Sequence, residues 1–269
     1  MAQGRVVTGR MPRSGWVWLF IGAAYFLIPL AATAEFSLEE YPGYGLSSYR
    51  QILSDPAFRD TLWLSFKLAV ATIVVSLALF VPTVYWVHLR LPRLRPAVEF
   101  LSVLPFVVPP IVLIVGLLYV FNVNWVPVWF VESSRFLVPG YVVLSFPFMF
   151  RSLDASFRAI DVHTLTEAAQ SLGASWTRTL FRVILPNVSA GALSGAFLTL
   201  ALVMGEFTMA NVALFTTFPV YINYIGQTQA NPAAALTIIS FGITWAAMVG
   251  ILLVGRRPGR GAVQIGGAR

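Results

Sequence analysis

Residues 164–186 read TLTEAAQSLGASWTRTLFRVILP, a polar stretch set between two apolar ones, and the reading of the chain turns on it. Thr164 and Glu167 have the Thr-x-x-Glu spacing of a capping box, which predicts a helix start here. Leu165, Ala168, Ala169 and Leu172 fall at i, i+3, i+4 and i+7 and so share one helical face. That face is narrow and largely alanine, which lets another surface approach its backbone. Gly173 supplies a left-handed stop. Ser175 is placed to cap a second helix, in which Trp176, Leu180, Val183 and Ile184 again share a face. Pro186 closes the unit just before the next apolar run.

Around this stretch the chain is too apolar for a soluble domain. Of its 269 residues 58% are hydrophobic and 11% charged, against about 25% charged in globular proteins. There is no cysteine and there are only two histidines, His88 and His163. A disulfide framework, a thiolate or His-rich metal site and a His-based catalytic triad are therefore not expected. The single lysine, Lys67, is followed by Leu68, so no Gly-Lys-Ser/Thr phosphate loop exists in this chain. Any ATP used must be hydrolysed by another subunit.

The long apolar runs predict six membrane spans. The first, Trp16–Ala34, is about 28 Å as helix, enough to cross a bilayer core. It reads as an anchor in preference to a cleaved signal peptide, although Ala32-Thr33-Ala34 resembles a cleavage site. The second is Leu62–Val87, with Pro82 expected to kink it near one end. Lys67 lies inside this span. It either snorkels to the interface or lines a path. The third runs from about Ala97 to Phe121 and contains Pro109 and Pro110, which remove backbone donors and break the helix. Broken backbone in a bilayer is tolerated only inside protein or beside a water-filled path. Trp125 and Trp129 follow in a short interfacial loop. The fourth span, about Phe136–Phe150, is short and is expected to continue as helix beyond the membrane. There Arg151, Asp154 and Arg158 can pair along one face. The fifth, about Val188–Gly205, carries Gly191, Ser194, Gly195 and Ala196, small residues that permit close packing. Glu206 follows, either capping a helix end or facing a solute. The sixth is about Ala233–Val254.

The arginines orient these spans. Fourteen basic residues fall in the N-terminal arm, the 88–97 loop, the 151–187 loop and the C-terminal tail. Only Arg50, Arg59 and Arg135 fall on the other side. The positive-inside rule therefore places both termini and the 164–186 unit in the cytoplasm.

At Glu167-Ala168-Ala169, Gly173, Val183 and Leu185-Pro186 the sequence resembles the EAA loop of permease subunits in ATP-binding-cassette (ABC) importers. The resemblance implies an all-α integral membrane protein of the type I importer permease fold, with no enzyme activity and no cofactor of its own. It implies a permease domain over residues 57–255, preceded by an arm (1–15) and an anchor helix (16–34) and followed by a tail (256–269). Implied partners are a dimer of ATP-binding-cassette subunits, a second and non-identical permease subunit, an extracytoplasmic solute-binding protein and the lipid of the plasma or inner membrane. Nucleic acid is not among them. Carried onto this chain, Glu167, Ala168, Ala169 and Gly173 would form the ATPase docking surface, and Leu185 and Pro186 would fix the exit into the fifth span. Lys67, Pro109, Pro110 and Glu206 are candidates for the path. The runs Phe146–Asp154, Gly205–Phe207 and Thr217–Val220 are similar to the polyamine (spermidine/putrescine) branch, and the carboxylates of the 35–60 loop suit a cation. The competing reading is a stand-alone secondary transporter or channel, which needs no docking element.

Overall fold

The computed structural model describes residues 13–121 and 127–255. The arm up to residue 12, Trp125 and the tail from residue 256 lie outside the described residues. Helix α1 (Arg13–Leu38) is apolar all round and lies on the outside of the bundle, against the last helix α14 (Ala230–Gly255). Ser37, near its end, is the one buried side chain among those described in it, and its hydroxyl is 2.6 Å from that of Tyr49. A two-residue antiparallel hairpin follows, β1 (Glu39–Glu40) and β2 (Gly43–Tyr44), so the chain is not helical throughout. Asn231 at the start of α14 donates to the Phe36 and Glu39 carbonyls, both at 3.0 Å, and fastens the hairpin to the bundle.

After α2 (Ser47–Ser54), Asp55 caps α3 (Pro56–Leu89) by accepting from the Ala57 N–H at 2.9 Å, with Pro56 in the first turn. Helix α3 therefore starts six residues before the expected span. It runs on through Pro82 for 34 residues. Its buried stripe mixes apolar residues with small hydroxyls. Thr72 bonds back to the Leu68 carbonyl, and Ser76 meets Ser145 at 3.1 Å inside the bundle, so these polar groups carry no unsatisfied cost.

The third span is broken where the prolines predict. Helix α4 (Arg95–Val107) and α5 (Pro110–Phe121) form a pair bent by 103°. Val108, ahead of Pro109, is extended, as a residue before proline is driven to be. A short α6 (Val128–Val131) leads to α7 (Leu137–Arg158), which continues past the apolar stretch as expected. Then come α8 (Val162–Ser171), α9 (Trp176–Thr179), a π-turn at Leu180–Ile184 and α10 (Leu185–Asn187). Helix α11 (Ser189–Gly205) leaves the Trp176–Asn187 segment at 76°. The uncharged 207–232 segment, for which no helix was expected, contains α12 (Thr208–Val212) and α13 (Phe218–Thr228) before α14.

The centre of the bundle is α3, α7 and α11 packed on one another. Gly191 and Gly195 make this possible. A side-chain carbon at Gly191 would collide with the Ser152 carbonyl and the Ser156 hydroxyl, and one at Gly195 would lie 2.6 Å from the Met149 sulfur. Two apolar cores result. One surrounds Phe136, Tyr141, Met209 and Phe218. The other surrounds Tyr85, Phe150, Phe157 and Leu180 and joins α3 and α7 to the polar unit. Four described helices are long and apolar enough to cross a membrane. Counting each bent pair as one span gives six.

Candidate functional site

The polar unit is built on Asp161. Its carboxylate accepts from the Thr164 N–H at 3.0 Å and from the Thr164 hydroxyl at 2.7 Å. The Thr164 backbone bond, then the side-chain bond, hold this exposed carboxyl below its ordinary range. Asp161 is therefore the cap, three residues before the expected Thr164, and α8 begins at Val162. An acidic cap one turn earlier outcompetes the hydroxyl. The inward face is correspondingly rotated. It consists of Val162, Thr166 and Ala169, with Leu165 half-buried. Leu172, expected on that face, is 89% exposed. Thr166 belongs inside because its hydroxyl meets that of Tyr85 on α3 at 3.1 Å.

This rotation leaves Glu167, Ala168 and Leu172 on the outer side, with Gly173 beside them. Gly173 has φ +80°, the left-handed stop expected of it. The Gly173 N–H donates to Gln170 at 2.8 Å and the Ala174 N–H to Ala169 at 3.0 Å, which closes the last turn of α8. Trp176 then stacks on Trp86 of α3 with ring centres 5.6 Å apart, while the Arg90 guanidinium lies 5.6 Å from the Trp86 ring on its own helix. Leu180 and Ile184 are buried, and Leu185 and Pro186 are half-buried at the turn into α11. The unit is thus a small apolar and polar knuckle, riveted to the end of α3 through Tyr85 and Trp86. Ala169 alone of the expected docking residues faces inward.

The path candidates do not form one cluster. Lys67 is exposed on α3, with Trp63, Phe66 and Val70 exposed around it. Pro109 and Pro110 form the break of the third span. Glu206 caps α12, both of its oxygens accepting from the Met209 N–H at 3.0 and 3.1 Å. Helix α12 packs on α5, so Glu206 braces the second half of the broken span.

Sequence reasoning missed a second polar cluster. Their spacing predicts that Arg151, Asp154 and Arg158 pair along one face. Asp154 and Arg158 do pair, at 2.6 Å, but Asp154 also bonds His88 and Arg95 from other helices. Residues so far apart in the chain carry no local signal of meeting.

A family model described as the binding-protein-dependent transport system inner membrane component matches residues 84–257, more than half of the chain. The chain belongs to this family. The match starts within α3 and includes the broken span, the polar unit and α11. Among relatives of these permeases, the spermidine/putrescine transport system permease protein PotB of Haemophilus influenzae is 28% identical over 60% of this chain and 60% of its own length. The molybdenum transport system permease protein ModB of Escherichia coli K12 is 30% identical over 70% of this chain and 82% of its own. The fold is that of the type I ABC importer permeases. A bacterial ABC transporter involved in import of the acidic polysaccharide alginate has a chain that superposes with a TM-score of 0.69, at 15% identity, covering 91% of this chain and 94% of that one. These permeases are transporter subunits of the inner membrane, spanning it several times. Their names cover spermidine and putrescine, molybdenum, and the acidic polysaccharide alginate.

Proposed function

We propose that this permease forms half of the path of an ATP-driven importer and receives its driving force at the α8–α9 knuckle. The observation that carries this is the knuckle's construction. Asp161, Gly173 and the Trp86–Trp176 stack fix its shape, while Glu167, Ala168 and Leu172 face out, uncovered by any of the described residues. A rigid, small-residue surface beside an exposed leucine suits a cleft in a partner. The partner is an ATP-binding-cassette dimer in the cytoplasm, the side to which the arginine distribution assigns the knuckle and both termini. A second, non-identical permease subunit completes the path, and an extracytoplasmic binding protein delivers the solute. ATP closes the cassette dimer, the knuckle moves with it, and the spans rock about the break at Pro109–Pro110. Lys67 and Glu206 contribute to the path, and Leu185 and Pro186 hold the exit into α11.

The solute class is a small polyamine-like cation. PotB's name, the similarity of the 146–154, 205–207 and 217–220 runs to that branch, and the outer carboxylates Glu35, Glu39 and Glu40 support this reading.

The test is co-purification with the ATPase and uptake of labelled spermidine by the reconstituted importer. Gly173→Pro and Leu172→Asp should each lower ATPase retention and ATP-dependent uptake by tenfold or more, about 1.4 kcal/mol or above in coupling. Uptake that persists without ATP would instead favour a channel or secondary transporter.

A further inference from the structure

The ion cluster at the end of α7 has a geometry that packing alone does not require. Asp154 is 6% exposed. Its carboxylate takes His88 Nε2 at 2.8 Å from the last turn of α3. It takes Arg95 at 3.2 and 3.3 Å from the first turn of α4, and Arg158 at 2.6 Å one turn along α7. Glu99 closes the ring, 3.2 Å from Arg95 Nε and 3.0 Å from the Arg158 guanidinium. A carboxylate this far out of water holds its charge only with such partners.

What the cluster holds is α4. That helix has a single buried residue, Ser102. A cleft of about 550 Å³ separates it from α7, lined by Phe100 and Val103 on one side and Phe150 and Arg151 on the other. The first half of the broken span is thus fastened to α7 by charges at one end and by the Phe106–Phe148 edge contact, ring centres 5.6 Å apart, near the other, with the cleft between. An element held mainly at its ends can swing as a rigid unit without breaking a tightly packed core. The fastening point is close to the knuckle. Three residues separate α7 from α8, and Phe157, Val162 and Leu180 share one core.

We propose that Asp154 is a positioning residue for coupling. It ties the first half of the broken span to the knuckle end of the bundle, so that movement of the knuckle reaches Pro109–Pro110 through the Arg95–Asp154 pair. This rests on the coupling role proposed above.

The chain has no cysteine, so Leu101→Cys and Ala155→Cys place unique spin labels on exposed positions of α4 and α7. The complex with its ATPase subunits is measured in nanodiscs by pulsed electron resonance, with and without ATP. In the parent, one short distance without nucleotide should change on ATP binding. Asp154→Asn should add a longer population without nucleotide and lose the ATP-driven change, while still retaining the ATPase. Arg95→Gln, at a partly exposed side chain, carries the same expectation if Asp154→Asn does not assemble. Arg151→Gln, in the same cleft but outside the ring, should behave as the parent. A parent that responds to ATP beside an Asp154→Asn or Arg95→Gln variant that responds equally overturns the proposal alone. A parent that does not retain the ATPase overturns the coupling reading beneath it.

Discussion

Gly191 leaves no room for a methyl group. One placed there meets the Ser152 carbonyl, which is backbone, and the Ser156 hydroxyl. Overpacking of this kind costs about 1–3 kcal/mol, and the carbonyl cannot swing aside as a side-chain tip would. Gly191→Ala should therefore lower the thermal midpoint of the purified permease in detergent. Gly116→Ala has nothing within 4 Å of the new carbon and should leave the midpoint unchanged or slightly higher, since alanine favours helix by about 1 kcal/mol. Equal melting of the two variants would remove close α7–α11 contact as a determinant. The small-residue run at 191–196 was readable because size is a property of the residue itself. Gly173 was readable for the same reason, its backbone freedom being local. Asp161 is not marked as the cap by the sequence, because the fold of the preceding turn decides which side chain reaches the free N–H groups. Asp154 was read with its helix neighbours alone because the sequence does not announce a partner 59 or 66 positions away.

At the level of elements, the break in the third span is both the most legible feature and the one with the sharpest test. Two adjacent prolines cannot donate to the preceding turn, and the residue ahead of them is pushed out of helix. Replacing both, Pro109→Ala with Pro110→Ala, should let α4 and α5 fuse. Labels at Leu101→Cys and Tyr119→Cys would then move apart toward the roughly 27 Å of eighteen residues of straight helix. A distance equal to that of the parent would show that the bend is set by surrounding helices and not by the prolines. The knuckle's two helices were legible from their spacing, but the direction of the first was not. Its inward face follows Thr166, a polar residue that a hydrophobic pattern discounts and that the Tyr85 hydroxyl draws inside. The π-turn at Leu180–Ile184 was equally hidden, since Trp176, Leu180 and Ile184 keep a plausible α-helical spacing across it.

For the whole molecule, the six spans followed from hydropathy and their connections from length, whereas α12 and α13 went unseen because 207–232 has neither charge nor long apolar runs. Sidedness is open to direct measurement in a chain without cysteine. Ser171→Cys on the knuckle and Tyr41→Cys at the fully exposed tip of the hairpin should react with a membrane-impermeant maleimide from opposite sides. Ser171→Cys should label only in inverted vesicles and Tyr41→Cys only in intact cells. Labelling of both from one side would overturn the span count between them, and labelling from the exchanged sides would reverse the orientation. The first helix has a different standing from the other spans. It leans on α14, buries Ser37 and is buckled at its far end by Asn231. Because it is moored alongside the bundle and not wedged into it, that helix can be shed or exchanged for another tether without dismantling the interior.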